Sequence, residues 1–411
     1  MTAPDLLRDL DGGLIGECLE LVGRRDIEGA DADRVFASAV WSCLVEPGDS
    51  VGGRLRRLVG PMPALRALSS HESLSRGLLA DGETTLAGGD VEKALDRWKP
   101  RLSTNRIRAA FRGAGALGAR LLVPGDAAWP RSLHDLGDHE PAALWVRGRL
   151  DLLATVPSVS IVGCRASTGY GDDVAADLAA SLGDRGFSIV SGGAYGIDGA
   201  AHRSALASRA PTVAVLAGGA DRFYPSGHTE LLTRIAAAGA VVSEVPCGTA
   251  PTRWRFLQRN RIIATVAAAT VVVEAGVRSG ALNTAHHASE IGRPLGAVPG
   301  PISSPSSAGC HRLIRSTAAQ CITGPADVFE MVDPRWQVEV GAPAPERRRS
   351  SDENRVLDAL RPRAGRFEDE IVVSTGLTDR EVRATLAILE LSSDVEERHD
   401  GWVRLGRTRR G

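Results

Sequence analysis

The stretch SVSIVGCRASTGYGDDVAADLAASLGDRGFSIVSGGAYGID, residues 158–198, decides the fold. It opens with an apolar, β-branched run, Ser158–Val162, and passes through a glycine-rich turn into an alanine- and leucine-rich helix over Gly171–Leu182. A second apolar run, Phe187–Ser191, follows, with a second glycine-rich turn behind it. Strands that are apolar throughout, rather than alternating, are buried on both faces. A helix between two of them is the right-handed crossover of a parallel sheet. Working outward, the pattern repeats at Thr212–Leu216, Ala240–Val245, Thr270–Glu274 and Leu295–Val298. Helices are expected between them at Asp198–Ala207, His228–Ala238 and Ala281–Ile291. The reading is an α/β protein with a Rossmann-like parallel sheet.

Upstream, residues 1–120 read as helical, with arginines spaced among Leu, Ala and Val, as in Asp33–Val45 and Thr104–Ala114, and show no chemistry. Downstream, 333–350 (DPRWQVEVGAPAPERRRS) has no period and reads as a linker. The tail from 351 to 411 resumes structure. Helices are expected at Asn354–Leu360 and Glu368–Val373, and a third after Thr378, with Glu381 completing a capping box. Strands Asp394–Arg398 and Trp402–Leu405 flank a turn at His399-Asp400-Gly401. Three helices and a ribbon describe a winged helix, here ending in a basic tail. The expected domains are thus 1–120, 121–332 and 351–411.

Composition removes several classes of function. The 411 residues carry a formal charge of −1, which excludes a uniformly basic protein. The chain's lysines are Lys93 and Lys99, so a Walker-A lysine or a pyridoxal Schiff base beyond residue 99 is impossible. Six dispersed cysteines with no CxxC pair argue against structural zinc and a disulfide framework. The acidic start lacks the apolar core of a signal peptide. The longest apolar stretch, Ile262–Val273, is too short for a membrane span and reads as a helix end followed by a buried strand. No membrane partner is expected, and the expected location is the cytoplasm.

Ligands of an open parallel sheet bind beyond the carboxyl ends of its strands, so the loops there hold the candidates. The first, Gly163-Cys-Arg165-Ala-Ser167-Thr-Gly169, offers backbone N–H groups and a guanidinium to an anion. It is not a dinucleotide fingerprint, and no acid follows the second strand to hold a ribose, so NAD is not expected. The second loop, Ser191-Gly192-Gly193 onward, places Asp198 as a helix N-cap and His202 one turn later, a packing histidine more than a ligand. The segment from Pro251 carries Arg253, Trp254, Arg255, Phe256, Arg259, Asn260 and Arg261 with no acid among them. Arginines interleaved with aromatics suit a nucleic-acid strand, arginines for phosphates and a ring for bases. The loop with Ser279, Gly280 and Asn283 reads as a second backbone cradle. His286 and Glu290 share a helix face with no third ligand, so no metal is expected, nor any cofactor or catalytic group.

These loops, in this order, resemble the DNA-processing protein A family (DprA, also called Smf). The resemblance runs through Ile161-Val-Gly-Cys-Arg165, Ser191-Gly-Gly-Ala-Tyr-Gly-Ile-Asp198 with Ala201-His202, and Ala214-Val-Leu-Ala-Gly-Gly219 with Tyr224-Pro225 and Ser243-Glu244. It continues in Phe256-Leu-Gln-Arg-Asn-Arg-Ile-Ile263, Glu274, Ser279-Gly280, Pro299-Gly300 and Gly309-Cys-His-Arg-Leu-Ile314. Asp126-Ala-Ala-Trp-Pro130 and Leu144-Trp-Val-Arg-Gly148 are similar to the family's lead-in to the sheet. The resemblance implies a protein that binds and protects single-stranded DNA, dimerises through its Rossmann-like domain and loads the RecA recombinase, in natural transformation or recombination. Arg165, Arg253 and Phe256 fall on the family's DNA-contact positions. Two departures are Leu257, where the family has proline, and Ser316-Thr317-Ala318 in place of a glycine-alanine.

Two alternatives stand beside this. Nucleotide phosphoribohydrolases of the lysine-decarboxylase-like group have a similar fold, and Glu274 and Glu290 would be the carboxylates, but their PGGxGTxxE loop is missing here. A duplex-reading regulator would use the winged helix, with Arg380 and Arg383 on its third helix among Glu381, Glu390 and Asp394. For the dimer contact, Ala281–Ile291, Leu295–Val298 and Leu313-Ile314 are the candidate regions, with the flanking regions dispensable.

Overall fold

The computed structural model describes residues 12–68, 88–154, 156–317, 319–333, 350–361, 364–392 and 394–405. The expected linker lies almost wholly outside these residues, as do the basic tail and Ala318. Two compact units divide at residues 337 and 338.

The first unit is built on a nine-stranded sheet. Its parallel strands are β3 (Ser158–Val162), β4 (Ser188–Ser191), β5 (Thr212–Leu216), β6 (Ala240–Ser243), β7 (Ala269–Val272), β8 (Leu295–Ala297) and β9 (Gln320–Cys321). At one edge, β1 (Arg120–Leu122) and β2 (Leu144–Gly148) run antiparallel, β2 pairing with β6. The order is β1-β2-β6-β5-β4-β3-β7-β8-β9. From β3 the chain winds outward through β4, β5 and β6, then returns to lay β7 on the other side of β3. That reversal is a topological switch point, where the loops after β3 and β7 diverge and open a crevice. The expected strands are all present, with ends shifted by one or two residues. The short edge strands β1 and β9, and β2 next to β1, carried too little period to be anticipated as part of the sheet.

Among the described residues, six helices precede the sheet: α1 (Gly12–Leu21), α2 (Gly29–Leu44), α3 (Ser50–Val59), α4 (Pro61–Ala67), α5 (Gly88–Trp98) and α6 (Thr104–Ala116). Their core continues into the sheet. Phe111 packs on Phe36 on one side and edge-on against Trp145 of β2 on the other, at 6.0 and 5.5 Å between ring centroids. Trp145 Nε1 donates to Ser42 Oγ at 3.1 Å. The expected boundary at residue 120 is therefore not a packing boundary. Within the sheet region, helices α7 (Gly169–Asp184), α8 (Ile197–Ala207), α9 (Thr229–Ala238), α10 (Arg253–Val266), α11 (Ala281–Glu290), α12 (Ala308–Ser316) and α13 (Pro325–Val332) complete the layers. Ile262–Val273 is the end of α10 and strand β7, as expected, and no helix among the described residues is long and apolar enough to cross a membrane.

The second unit is the winged helix: α14 (Ser351–Ala359), α15 (Glu368–Thr375), α16 (Asp379–Leu391) and the antiparallel pair β10 (Val395–Arg398) and β11 (Gly401–Arg404). Val356, Leu357, Ile371, Val382, Leu386, Leu389 and Trp402 form its core. The capping box is present: Thr378 N–H donates to Glu381 Oε2 at 2.8 Å, and Glu381 N–H donates to Thr378 Oγ1 at 3.4 Å. Ser350 caps α14 by accepting from Glu353 N–H. That cap starts the helix three residues before the sequence pattern does.

Candidate nucleic-acid interface

The crevice at the switch point is a groove of about 890 Å³ between the loop after β3, the start of α10 and the loop after β7. Arg165, Arg253 and Phe256 line it together, as do Gly163, Arg259, Asn260, Ser279 and Gly280. Tyr224, Leu257 and Arg278 join them. Helix α10 enters the groove because Thr252 caps it, its hydroxyl accepting from Arg255 N–H at 3.3 Å. Leu257 then sits at the fifth helical position, past the first turn where proline is favoured, and Thr252 supplies the helix start.

Phe256 is the centre of an aromatic–cation cluster. The Arg165 guanidinium carbon lies 5.0 Å from its ring centroid, that of Arg259 lies 5.8 Å away, and Tyr224 packs against it at 5.4 Å. Arginine on an aromatic face is held in place yet keeps its N–H fork outward for an anion. Tyr224 is the more open ring and provides a stacking surface that its place in the sequence did not signal. Arg165, Arg253 and Arg278 are exposed, and none has a carboxylate partner among the described residues.

Several expected contacts have other work. Arg259 is buried in the groove floor, donating from Nη1 to Gly192 O at 2.8 Å and also to Val215 O. Burial takes its pKa down to about 10, against the charge of Asp198. Gly192 has no side chain because a Cβ there would lie 2.3 Å from that guanidinium. Arg261, 2% exposed, turns away from the groove into a bidentate pair with Glu244, at 2.6 and 2.8 Å. Its Nε donates to His139 O. A basic helix buries some arginines and presents others, and the acid that claims Arg261 sits on a different element. Asn260 lines the groove, but its Nδ2 spans to Gly280 O and Asn283 Oδ1 at 3.3 and 3.2 Å, tying α10 to the loop after β7. Ser191 is buried with its hydroxyl on Ile161 O, and Ser167 donates to Asp172 Oδ1 at 2.6 Å. Gly169 is exposed at the start of α7, and Gly193 lends its carbonyl to His228 Nδ1. Neither glycine lines the groove.

The two backbone cradles differ. Glu274, buried, accepts from Thr168 N–H at 2.9 Å and Thr168 Oγ1 at 2.7 Å, so the protein's own carboxylate occupies the N-terminus of α7. The N–H groups of Arg165, Ala166 and Ser167, ahead of it, have no acceptor among the described residues. The loop after β7 is largely closed on itself: Ser279, Leu282 and Asn283 N–H groups bond to carbonyls within it, and Ala281 N–H bonds to Ser279 Oγ. Asp198 is the second residue of α8, not its cap. Its carboxylate accepts from Gly192 and Ala194 N–H groups and so shapes the loop after β4. Burial raises its pKa, opposed by Arg259 and by those two donors. His202 is fully buried, with Nδ1 2.8 Å from Thr212 Oγ1, a packing histidine as expected.

The hydrolase alternative loses its carboxylates in this geometry. Glu274 is consumed under Thr168, and Glu290 is exposed at the far end of α11, beside His286 and His287. No metal-binding cluster occurs among the described residues.

Comparison with known proteins agrees with the groove. Residues 120–333 match the DNA recombination-mediator protein A family, and 340–401 match the DprA winged helix domain. The chain is 46% identical to a DNA processing protein DprA of Mycobacterium tuberculosis over 383 residues, covering 89% of this chain and 93% of that one. It is 35% identical to protein Smf of Escherichia coli, covering 70% of this chain and 78% of that one. The crystal structure of DNA processing protein A from Streptococcus pneumoniae superposes with a TM-score of 0.55 at 31% identity, covering 72% of this chain and 96% of that one. A Rossmann-like sheet, a winged helix and a cationic groove at the switch point thus converge on one conclusion: the chain belongs to the DNA processing protein A (DprA/Smf) family of DNA recombination mediators.

Proposed function

We propose that the groove binds single-stranded DNA in preference to duplex and with little regard to sequence, without catalysing a reaction on it. The observation that carries this is the set of exposed Arg165, Arg253 and Arg278 around the Phe256–Tyr224 ring pair. Cations that meet phosphates and rings that meet any base give affinity without a sequence code. Delivery of the bound strand to the RecA recombinase, in recombination or natural transformation, rests on family membership. So does action as a homodimer through the Rossmann-like domain.

The test is fluorescence anisotropy with oligo-dT and with blunt duplex across a salt series. Arg165→Ala and Arg253→Ala each weaken strand binding and lower the slope of log affinity against log salt by about 0.7, the value for one phosphate on a single strand. Phe256→Ala removes about 1–3 kcal/mol of ring contact with little change of slope. Equal affinity for duplex and oligo-dT, or unchanged slopes in both arginine variants, overturns the reading.

A further inference from the structure

A second cationic cleft, about 540 Å³, lies between the N-terminal helices and the loop after β6. Arg101, Arg106, Arg255 and Asp221 line it, with Thr249 and Ala250. Its charges do not cancel. Arg101 and Arg255 share one carboxylate, Glu46, at 2.7 and 2.8 Å. Burial works against the charge of Glu46, but the hydrogen bonds and charges of the two arginines overcome it and hold its pKa below the usual range. Asp221 is spoken for by Gly248 N–H at 2.9 Å and Arg222 at 3.3 Å. Arg106 is exposed. Its helix neighbours Arg108 and Arg112 both reach Glu17, whereas Arg106 has no carboxylate partner among the described residues.

The cleft also adjoins the groove through one short segment. Thr249, Ala250 and Arg255 face the cleft, while Pro251, Thr252, Arg253 and Phe256 face the groove. Between them stands Trp254, 56% exposed, a large ring that the first unit's core does not cover. An exposed ring on the segment that two cationic depressions share is an arrangement that lets a flexible polyanion cross, its bases on the ring and its phosphates on either side.

We propose that this cleft is a second phosphate-binding subsite, which takes the part of a single strand that leaves the groove over Trp254. The inference rests on the groove's reading as a single-strand site. The N-terminal helices then contribute to DNA binding through Arg106 and extend the path of one protomer.

The experiment uses the full chain and two oligo-dT lengths, about six and about twenty nucleotides. Arg106→Ala is expected to weaken the longer strand about fivefold at moderate salt and to lower its salt slope, leaving the shorter strand unchanged. Arg106→Lys restores most of the slope, because the contact is to charge. Trp254→Ala weakens the longer strand without altering its slope. Arg165→Ala weakens both lengths. If Arg106→Ala and Trp254→Ala leave both lengths unchanged while Arg165→Ala still weakens them, the subsite is wrong and the groove stands. If Arg165→Ala is silent at both lengths, the groove reading itself fails. If Arg106→Ala alters binding of free thymidine monophosphate and not of the longer strand, the cleft is a mononucleotide site and this inference is overturned.

Discussion

His202 shows how a single buried residue couples the sheet to pH. Thr212 Oγ1 already donates to Ile189 O at 2.9 Å, so it must accept from His202, which places the proton on Nδ1. Nε2 has no partner among the described residues, and a proton added there finds no acceptor. Burial, with the nearby His228, Arg259 and Arg203 charges, takes the pKa down to about 3. The unfolded chain takes up that proton near pH 6.5 and the folded chain does not. Stability from this group is therefore fully present above pH 6.5 and lost as pH falls toward 3, by about 1.4 kcal/mol per unit at most. Thermal unfolding followed by circular dichroism between pH 6.5 and 5, above the main carboxylate range, is expected to show the midpoint falling with pH. His202→Asn, whose amide can still meet Thr212, flattens that dependence. An equal slope in both proteins assigns the pH sensitivity to other groups. His202 was legible in the sequence as a packing residue because it follows the loop after β4 by one helical turn. Asp198 was misplaced by two positions, because Gly196, with a positive φ of 73°, takes the cap and the helix starts at Ile197.

At the scale of elements, the strands were legible and the roles of the arginines were not. Parallel strands are buried on both faces, so β3, β5 and β7 declare themselves as apolar runs whatever surrounds them. Helix α10 has no such marker. Arg253 and Arg261 are separated by two turns of one helix, but one meets solvent and the other Glu244, seventeen positions earlier in the chain. Arg255 is claimed by Glu46, still further away in sequence. Non-local acids decide which arginines remain free for a ligand, and no local pattern encodes them. The Arg261–Glu244 pair also fixes α10 against the segment before β2 through His139. Glu244→Ala leaves a guanidinium buried without its carboxylate and is expected to cost about 3–5 kcal/mol in chemical denaturation. The double change Glu244→Leu with Arg261→Met is expected to recover much of that loss. A single variant as stable as the parent shows that water reaches Arg261. The winged helix has its own electrostatic character: residues 351–405 hold thirteen acidic residues against eight arginines, and Arg383 on α16 is paired to Glu368 at 2.8 Å. That balance opposes a duplex-reading role for this unit.

For the whole molecule, the buried apolar residues of the regions expected to form a dimer contact pack within one chain. Ala281, Ala285 and Ala288 of α11, Leu295 and Ala297 of β8, and Leu313 of α12 all belong to the main sheet core. The apolar surface that one chain leaves uncovered in this part of the fold is different. Ile302 is 96% exposed in the loop after β8, and Val277 is 58% exposed in the loop after β7. The two loops are neighbours, since an added Cβ on Gly276 would lie 3.6 Å from Pro305 O. Apolar side chains held out on ordered loops are what a self-complementary contact would cover. Pairing two chains would join two DNA paths, so the second engagement becomes intramolecular and avidity rises without a new contact to DNA. The full chain is the right sample. A fragment beginning at residue 121 would uncover Trp145 and Cys247, which the N-terminal helices bury, and its association would not report on the native surface. Analytical ultracentrifugation of the full chain is expected to show a dimer, and Val277→Glu with Ile302→Glu is expected to shift it to monomer. Affinity for a strand long enough to span two protomers then falls at least tenfold, while affinity for a strand of about six nucleotides does not. A charged double variant that remains dimeric places the contact on another surface, and a parent chain that sediments as a monomer removes the avidity argument altogether.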